Sequence, residues 1–212
     1  MKKISLVAAS FILASNLVAD NSFDSAIKAG TVTGDITLYG EKVNNDSGKD
    51  AGFTSGSIGL GYETGEYNGF KAVLGFRANH DFSEVEDGDF SADETTKTIL
   101  HTANISYANE YFGLTAGRQE IDLEWMGDFH EAIVLGLTSI PDTTVILGYT
   151  NRIATADADA PLENFSKFDT KKGAYVLDVK YEGIDGLVLN PYYYDADKLA
   201  SWYGLKADYD VD

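Results

Sequence analysis

Apolar and polar residues alternate with a period of two through almost the whole chain after residue 30, in segments of about ten residues. In residues 70–79, apolar side chains including Phe70 and Phe76 share one face, while Lys71 and Arg77 share the other. Because successive side chains of a β-strand point to opposite faces, this pattern predicts strands with one apolar face. The other segments are residues 31–40, 55–62, 97–107, 112–116, 133–140, 144–151, 175–181 and 187–194, and a tenth begins near Trp202.

The connections between these segments alternate between long polar loops and short turns. The long loops are residues 41–52, 81–94 and 152–172, and the short turns are residues 65–69, 108–110, 141–143 and 183–186. This regularity is typical of outer-membrane β-barrels. Aromatic residues flank the short turns, as expected for a girdle at the lipid–water interface: Tyr62, Tyr67, Phe70, Tyr107, Tyr111, Phe112 and Tyr181. A soluble β-sandwich is the alternative, and it explains both features less well. The predicted fold class is all-β, an antiparallel transmembrane β-barrel.

The N-terminus has the pattern of a secretory signal peptide. Lys2 and Lys3 precede the apolar run of residues 4–13, and small residues lead to Ala19, so residues 1–19 are predicted to be removed. A retained helical anchor would need about 20 apolar residues. Residues 20–212 then form the barrel domain, after a short helix predicted within residues 21–30. No later apolar run is long enough for a helical span, and the absence of cysteine excludes a disulfide framework.

The chain is strongly acidic, with a formal net charge of −18. Loss of Lys2 and Lys3 with the signal peptide makes it still more negative. Such an excess argues against nucleic acid or an anionic membrane surface as a partner. Outer-membrane lipid and small hydrophilic solutes are therefore the predicted partners.

One stretch, residues 117–133 (GRQEIDLEWMGDFHEAI), does not alternate. It is charged with an aromatic centre, and it is predicted to fold into the barrel as a loop that narrows the lumen. Trp125 and Met126 are expected to attach this loop by packing on the inner wall. The alternative is a solvated lid outside the lumen.

The chain resembles the Opr-type (OprD-like) porins of Gram-negative outer membranes. The resemblance rests on residues 32–34 (VTG), 117–133, 140–144 (IPDTT) and 148–150 (GYT), and it is most specific from Gly117 to Arg152. It implies a monomeric or trimeric passive channel of about 16 to 18 strands. The C-terminal half expected of that family is absent, so the chain is interpreted as an N-terminal fragment, although a closed ten-stranded barrel is the alternative.

Charged residues of the strands and of the long stretch are the candidate pore residues. Lys71 and Arg77 are expected to form a basic wall of the lumen, with simple solvation as the alternative. The predicted constriction consists of Arg118, Glu120, Asp122, Glu124, Asp128 and Glu131. Arg118 has the parity of the lipid-facing residues, so either the strand ends before it or a bulge at Gly117 turns it inward. The acidic residues are expected to form a negative wall opposite the basic wall. Walls of charge of this kind make a pore select ions.

No catalytic or metal-binding pattern is present. His80, His101 and His130 belong to no recognisable Ser/His/Asp arrangement. His130 and Glu131 lack the second histidine of a zinc protease helix, and the acidic residues 81–94, Asp157 and Asp159 have no EF-hand spacing, although weak divalent-cation binding stays open. The sequence predicts no enzyme and no cofactor. It favours a porin for passive diffusion of small hydrophilic solutes with a cation bias; the alternative is a non-channel barrel whose acidic loops bind a partner.

Overall fold

The computed structural model of the protein describes residues 22–90, 96–167 and 172–210. The predicted signal peptide lies outside these residues. A short helix, α1 (Phe23–Lys28), follows an N-cap at Ser22, whose side chain accepts a hydrogen bond from the Ser25 N–H at 3.1 Å. The helix expected within residues 21–30 is therefore confirmed. None of the helices in the described part of the chain is long and apolar enough to cross a membrane.

The remaining elements form one antiparallel sheet. Its strands are β1 (Thr31–Val43), β2 (Ala51–Glu63), β3 (Phe70–Glu84), β4 (Thr98–Ala108), β5 (Phe112–Glu120), β6 (Phe129–Ile140), β7 (Thr143–Ala154), β8 (Ser166–Lys167), β9 (Ala174–Ile184), β10 (Leu187–Ala196) and β11 (Ala200–Tyr209). Each long strand pairs with the next long one, and the short β8 pairs only with the end of β7. The predicted all-β, antiparallel architecture is confirmed.

The two faces of the sheet have opposite polarity. Directly paired residues lie on the same face, so the register of Ile36 with Ile58 places both on one side. This outer face is apolar yet exposed, and Ile36 keeps 79% of its accessible surface. The other face, here called the inner face, carries buried polar side chains such as Ser57 and Asn79. Apolar residues outside and polar residues inside are the distribution of a barrel in lipid.

A β-bulge in β4 changes which face Ile99 occupies. Gly75 pairs with Thr102 and Phe76 with Leu100, so His101 is an extra residue without a directly opposite partner in β3. Alternation through residues 97–107 assigns Ile99 to the apolar outer face with Ile105. That assignment is wrong, because the extra residue reverses which face each residue of β4 before His101 occupies. Ile99 instead pairs with Arg77 and is only 5% exposed.

The tightest apolar packing lies at the long-loop end of the sheet. Ile99 there contacts Ala154, Ala156 and the fully buried Leu162, with Phe129 and Phe165 packed against them. The composition of residues 152–172 predicts a solvated polar loop. Three of its residues, Ala154, Ala156 and Leu162, are instead core residues, so this segment is attached to the end of β4.

Candidate pore-lining site

The non-alternating stretch is mostly β-strand. β5 continues to Glu120 and β6 begins at Phe129, with regular pairing from Gly117 with Ala132 to Glu120 with Phe129. Only residues 121–128 form the connecting loop. Two backbone hydrogen bonds between Leu123 and Met126 hold its two sides together. The expected insert of residues 117–133 is therefore too long. Charged side chains do not prevent strand pairing where the two backbones are already aligned by a hairpin.

The β5–β6 loop lies over the inner face of the sheet. Ile121 and Leu123 line a cavity of about 320 Å³ together with inner-face residues of the wall such as Thr102 and Val134. At the loop tip, the Lys206 Nζ donates to the Glu124 Oε2 at 2.8 Å. The loop thus extends from β5 and β6 to β11 across the inner face.

Ile121 is the buried residue of this loop. It is 8% exposed, whereas Trp125 keeps 59% of its accessible surface. The Trp125 ring contacts the inner wall at Tyr192, with 6.4 Å between ring centroids. The alternation could have identified Ile121, because it continues the inner-face series that contains Thr115 and Gln119. Sequence reasoning missed it by treating the whole stretch as non-alternating.

His130 attaches the other end of the loop. Its side chain is fully buried. The Nε2 lies 2.8 Å from the Gly127 carbonyl oxygen, which can only accept, so Nε2 carries the proton. The Nδ1 then accepts from the Thr150 hydroxyl at 3.0 Å. Within the described ranges, no group of three or more His, Cys, Asp or Glu side chains is arranged to hold a metal ion.

The two predicted basic-wall residues lie on the inner face, and each is bonded to a carboxylate. The Lys71 Nζ donates to the Glu63 Oε1 at 2.6 Å. The Arg77 guanidinium forms two hydrogen bonds of 2.9 Å to the Asp35 carboxylate and one of 2.7 Å to the Ser57 hydroxyl. Their positive charge is therefore offset locally by carboxylates of β2 and β1.

Arg118 is not turned inward. β5 does not end before it, and the β5–β6 register has no shift at Gly117. Thr115 and Gln119 both line the inner cavity, so Arg118 between them keeps the outer parity. Its guanidinium donates to the Glu131 Oε1 at 3.0 Å and lies 4.3 Å from the centre of the Phe165 ring. A local ion pair and a cation–π contact stabilise the charge instead of lumen water.

Three residues of the predicted constriction have other partners. Arg118 and Glu131 bond each other, and the Arg152 Nε lies 3.5 Å from the second Glu131 oxygen. Glu124 bonds Lys206. The carboxylates that lie together are those of Glu120, Asp122 and Asp128, with Asp157 of the β7–β9 connection also within electrostatic reach of Glu120.

Sequence reasoning did not place Asp157 with the carboxylates of Glu120, Asp122 and Asp128. The Asn79 Nδ2 of β3 donates to the carbonyl oxygens of Asp157 at 2.8 Å and Ala160 at 2.7 Å, which holds the connection against the inner face. Partial burial and the carboxylates of Asp128 and Asp159 raise the pKa of the Asp157 carboxyl, while the Arg77 guanidinium opposes that shift. The residues that meet are 78 positions apart, so no local pattern indicates the contact.

Gly117 allows β5 to lie close to β4. It has a φ of +123°, and a Cβ built on it would lie 2.3 Å from the Ala103 carbonyl oxygen. We expect Gly117→Ala to destabilise the β4–β5 pairing by about 1–3 kcal/mol, since backbone strain of this kind costs that much. The measurement is the urea midpoint of unfolding in detergent or lipid. Gly127→Ala is the matched control, because its Cβ would meet nothing within 4 Å. Equal midpoints for both variants would contradict the expectation.

Comparison with known proteins assigns the chain to a family. A family model described as "Putative outer membrane protein" matches residues 7–212. The chain belongs to this outer-membrane protein family. The protein is thus located in the cell outer membrane. No curated protein matches this outer-membrane protein at a significant level.

Solved structures share its fold. Pseudomonas aeruginosa OccD3 (OpdP) is similar with a TM-score of 0.66 and 13% identity over 89% of this chain and 46% of that one. Acinetobacter baumannii OccAB1 is similar with a TM-score of 0.65 and 14% identity, and the match covers 89% of this chain and 50% of that one. OccAB2 of the same organism is similar with a TM-score of 0.65 and 16% identity, and the match covers 86% of this chain and 53% of that one. The predicted resemblance to OprD-like porins is confirmed in the fold, and none of these matches is to an enzyme. The chain spans about half the length of these structures.

Proposed function

We propose that this outer-membrane protein is a porin for the passive diffusion of small hydrophilic solutes, and that the β5–β6 loop forms its constriction. The position of that loop across the inner face carries the proposal. Ile121 at its base, His130 beside Gly127 and the Glu124–Lys206 ion pair at its tip hold it at three points. A loop held across the inner face at these three points is the proposed narrowing of the lumen.

The proposed pore prefers cations. Glu120, Asp122, Asp128 and Asp157 supply the negative charge, whereas Lys71 and Arg77 are each offset by a bonded carboxylate. Charged walls of this kind select ions by sign. Because the solved structures are about twice as long, the complete channel is proposed to contain further β-strands in addition to those described here.

Reversal potentials under a salt gradient test this proposal. In planar bilayers containing the full-length protein, we expect a potential of the sign that indicates cation preference, because the acidic side chains of the lumen exceed its basic ones. An anion-selective pore would contradict the bias. Liposome swelling with sugars of graded size separates a channel from a non-channel barrel with acidic binding loops. The channel passes the small sugars and excludes the large ones, whereas a plugged barrel passes none.

A further inference from the structure

The lining of the cavity under the β5–β6 loop contains a set of large apolar side chains that a water-filled pore does not need. The volume of the cavity is about 320 Å³. These large apolar side chains come from β3, β6, β7 and β9 and from the loop: Val73, Val134, Ile146, Val176, Ile121 and Leu123. The strand residues occupy inner-face positions, where Ser57, Asn79 and Thr150 show that the wall is otherwise polar. Polar and charged side chains from β2, β3, β4, β5 and the loop complete the lining, including Thr102, Asn104, Gln119 and Glu120. Apolar surface combined with polar groups that fix orientation is typical of small-molecule sites.

Carboxylates outnumber cations in the lining. The charged residues there are Glu63, Glu66, Lys71, Glu120 and Asp122. Lys71 is bonded to Glu63 at 2.6 Å, so its ammonium group is already engaged. The lining therefore offers negative charge beside an apolar surface. A positively charged group on an apolar body matches both properties.

We propose that this cavity is a binding subsite for small organic monocations with a branched aliphatic or aromatic body. The ammonium group lies against the Glu120 and Asp122 side of the lining, and the body packs against Val134, Ile146 and Val176. A zwitterionic amino acid with the same side chain binds more weakly, because its carboxylate meets a net negative lining. This inference rests on the proposed channel function, since solutes reach the cavity through the lumen.

Block of single-channel current tests the subsite in the full-length protein. The probes are 3-methylbutylammonium, ethylammonium and leucine. We expect 3-methylbutylammonium to block at concentrations about tenfold lower than ethylammonium, because its additional carbons are removed from water. Leucine, which carries a similar body and a carboxylate, is expected to block more weakly than 3-methylbutylammonium by at least the same factor. Equal block by the two amines, or stronger block by leucine, would overturn the inference while the channel function stands. A protein that passes no current would overturn both.

Two near-isosteric substitutions test the location of the subsite. Val134→Thr combined with Val176→Thr keeps the cavity shape approximately and makes its wall polar, and we expect the advantage of 3-methylbutylammonium over ethylammonium to fall several-fold. Val85→Thr is the matched control, because Val85 is exposed in the β3–β4 loop and lies outside the cavity lining. An unchanged ratio in the double variant would place the binding elsewhere. The probe series on the unmodified protein decides the inference if the double variant does not fold.

Discussion

Replacing Glu120, Asp122, Asp128 and Asp157 by their amides is expected to lower the cation preference of the full-length channel about fivefold at 0.1 M salt. A carboxylate at about 8 Å from a passing cation contributes about 0.5 kcal/mol in water, so four contribute about 2 kcal/mol, or about thirtyfold in permeability. Screening over a Debye length of about 10 Å reduces this to roughly fivefold. The pore stays open, because the loop attachments at Ile121, His130 and Glu124 are unchanged.

Reversal potentials measure this effect, and the control carries the same loss of total charge. Glu110, Asp142, Glu182 and Asp185 lie at the short turns or beside them, and none of them lines the cavity. Their four amides should leave the selectivity near that of the unmodified channel. Equal losses in the two quadruple variants would assign the bias to overall charge rather than to the lumen. No loss in either would place the four carboxylates outside the permeation path.

Ile121→Ala is expected to release the β5–β6 loop and to give a larger, noisier single-channel current. Truncating a buried Ile to Ala costs about 2–5 kcal/mol in a packed core, which is enough to populate open loop conformations. Trp125→Ala should have the smaller effect, because Trp125 is 59% exposed and touches the wall mainly at Tyr192. This order reverses the expectation from sequence, in which Trp125 and Met126 attach the loop.

Single-channel recordings distinguish the two variants. Ile133→Ala is the control, because Ile133 lies on β6 near the same loop but is exposed on the outer face. It should leave current amplitude and noise unchanged. If the current noise of Ile121→Ala were as low as that of Ile133→Ala, the position of the loop would not depend on the buried isoleucine. The proposed constriction would then lose its main support.

The sequence alone determined the sheet and its two faces. Period-two alternation is a local property, since each side chain's face follows from its neighbours in the strand. Strands β2, β3 and β9 can therefore be assigned from the order of their residues, together with the apolar outer side that includes Ile58 and Leu74. The acidic character of the β5–β6 loop and of the β7–β9 connection is equally predictable, because it needs only the composition of these segments.

Tertiary structure decided the details that depend on distant residues. The bulge at His101 turns Ile99 inward, although nothing in residues 97–107 marks it. Lys206 reaches Glu124 across 82 positions, and Arg77 reaches Asp35 across 42. The Lys206–Glu124 contact arises because the β5–β6 loop crosses the inner face to a distant strand of the sheet. Arg77 and Asp35 instead meet across β2, where Gly59 between them has no side chain. The direction of the β5–β6 loop, the bonding of Lys71 and Arg77 to carboxylates of β2 and β1, and the position of Asp157 near Glu120 all depend on contacts between residues that are far apart in the sequence or on different strands.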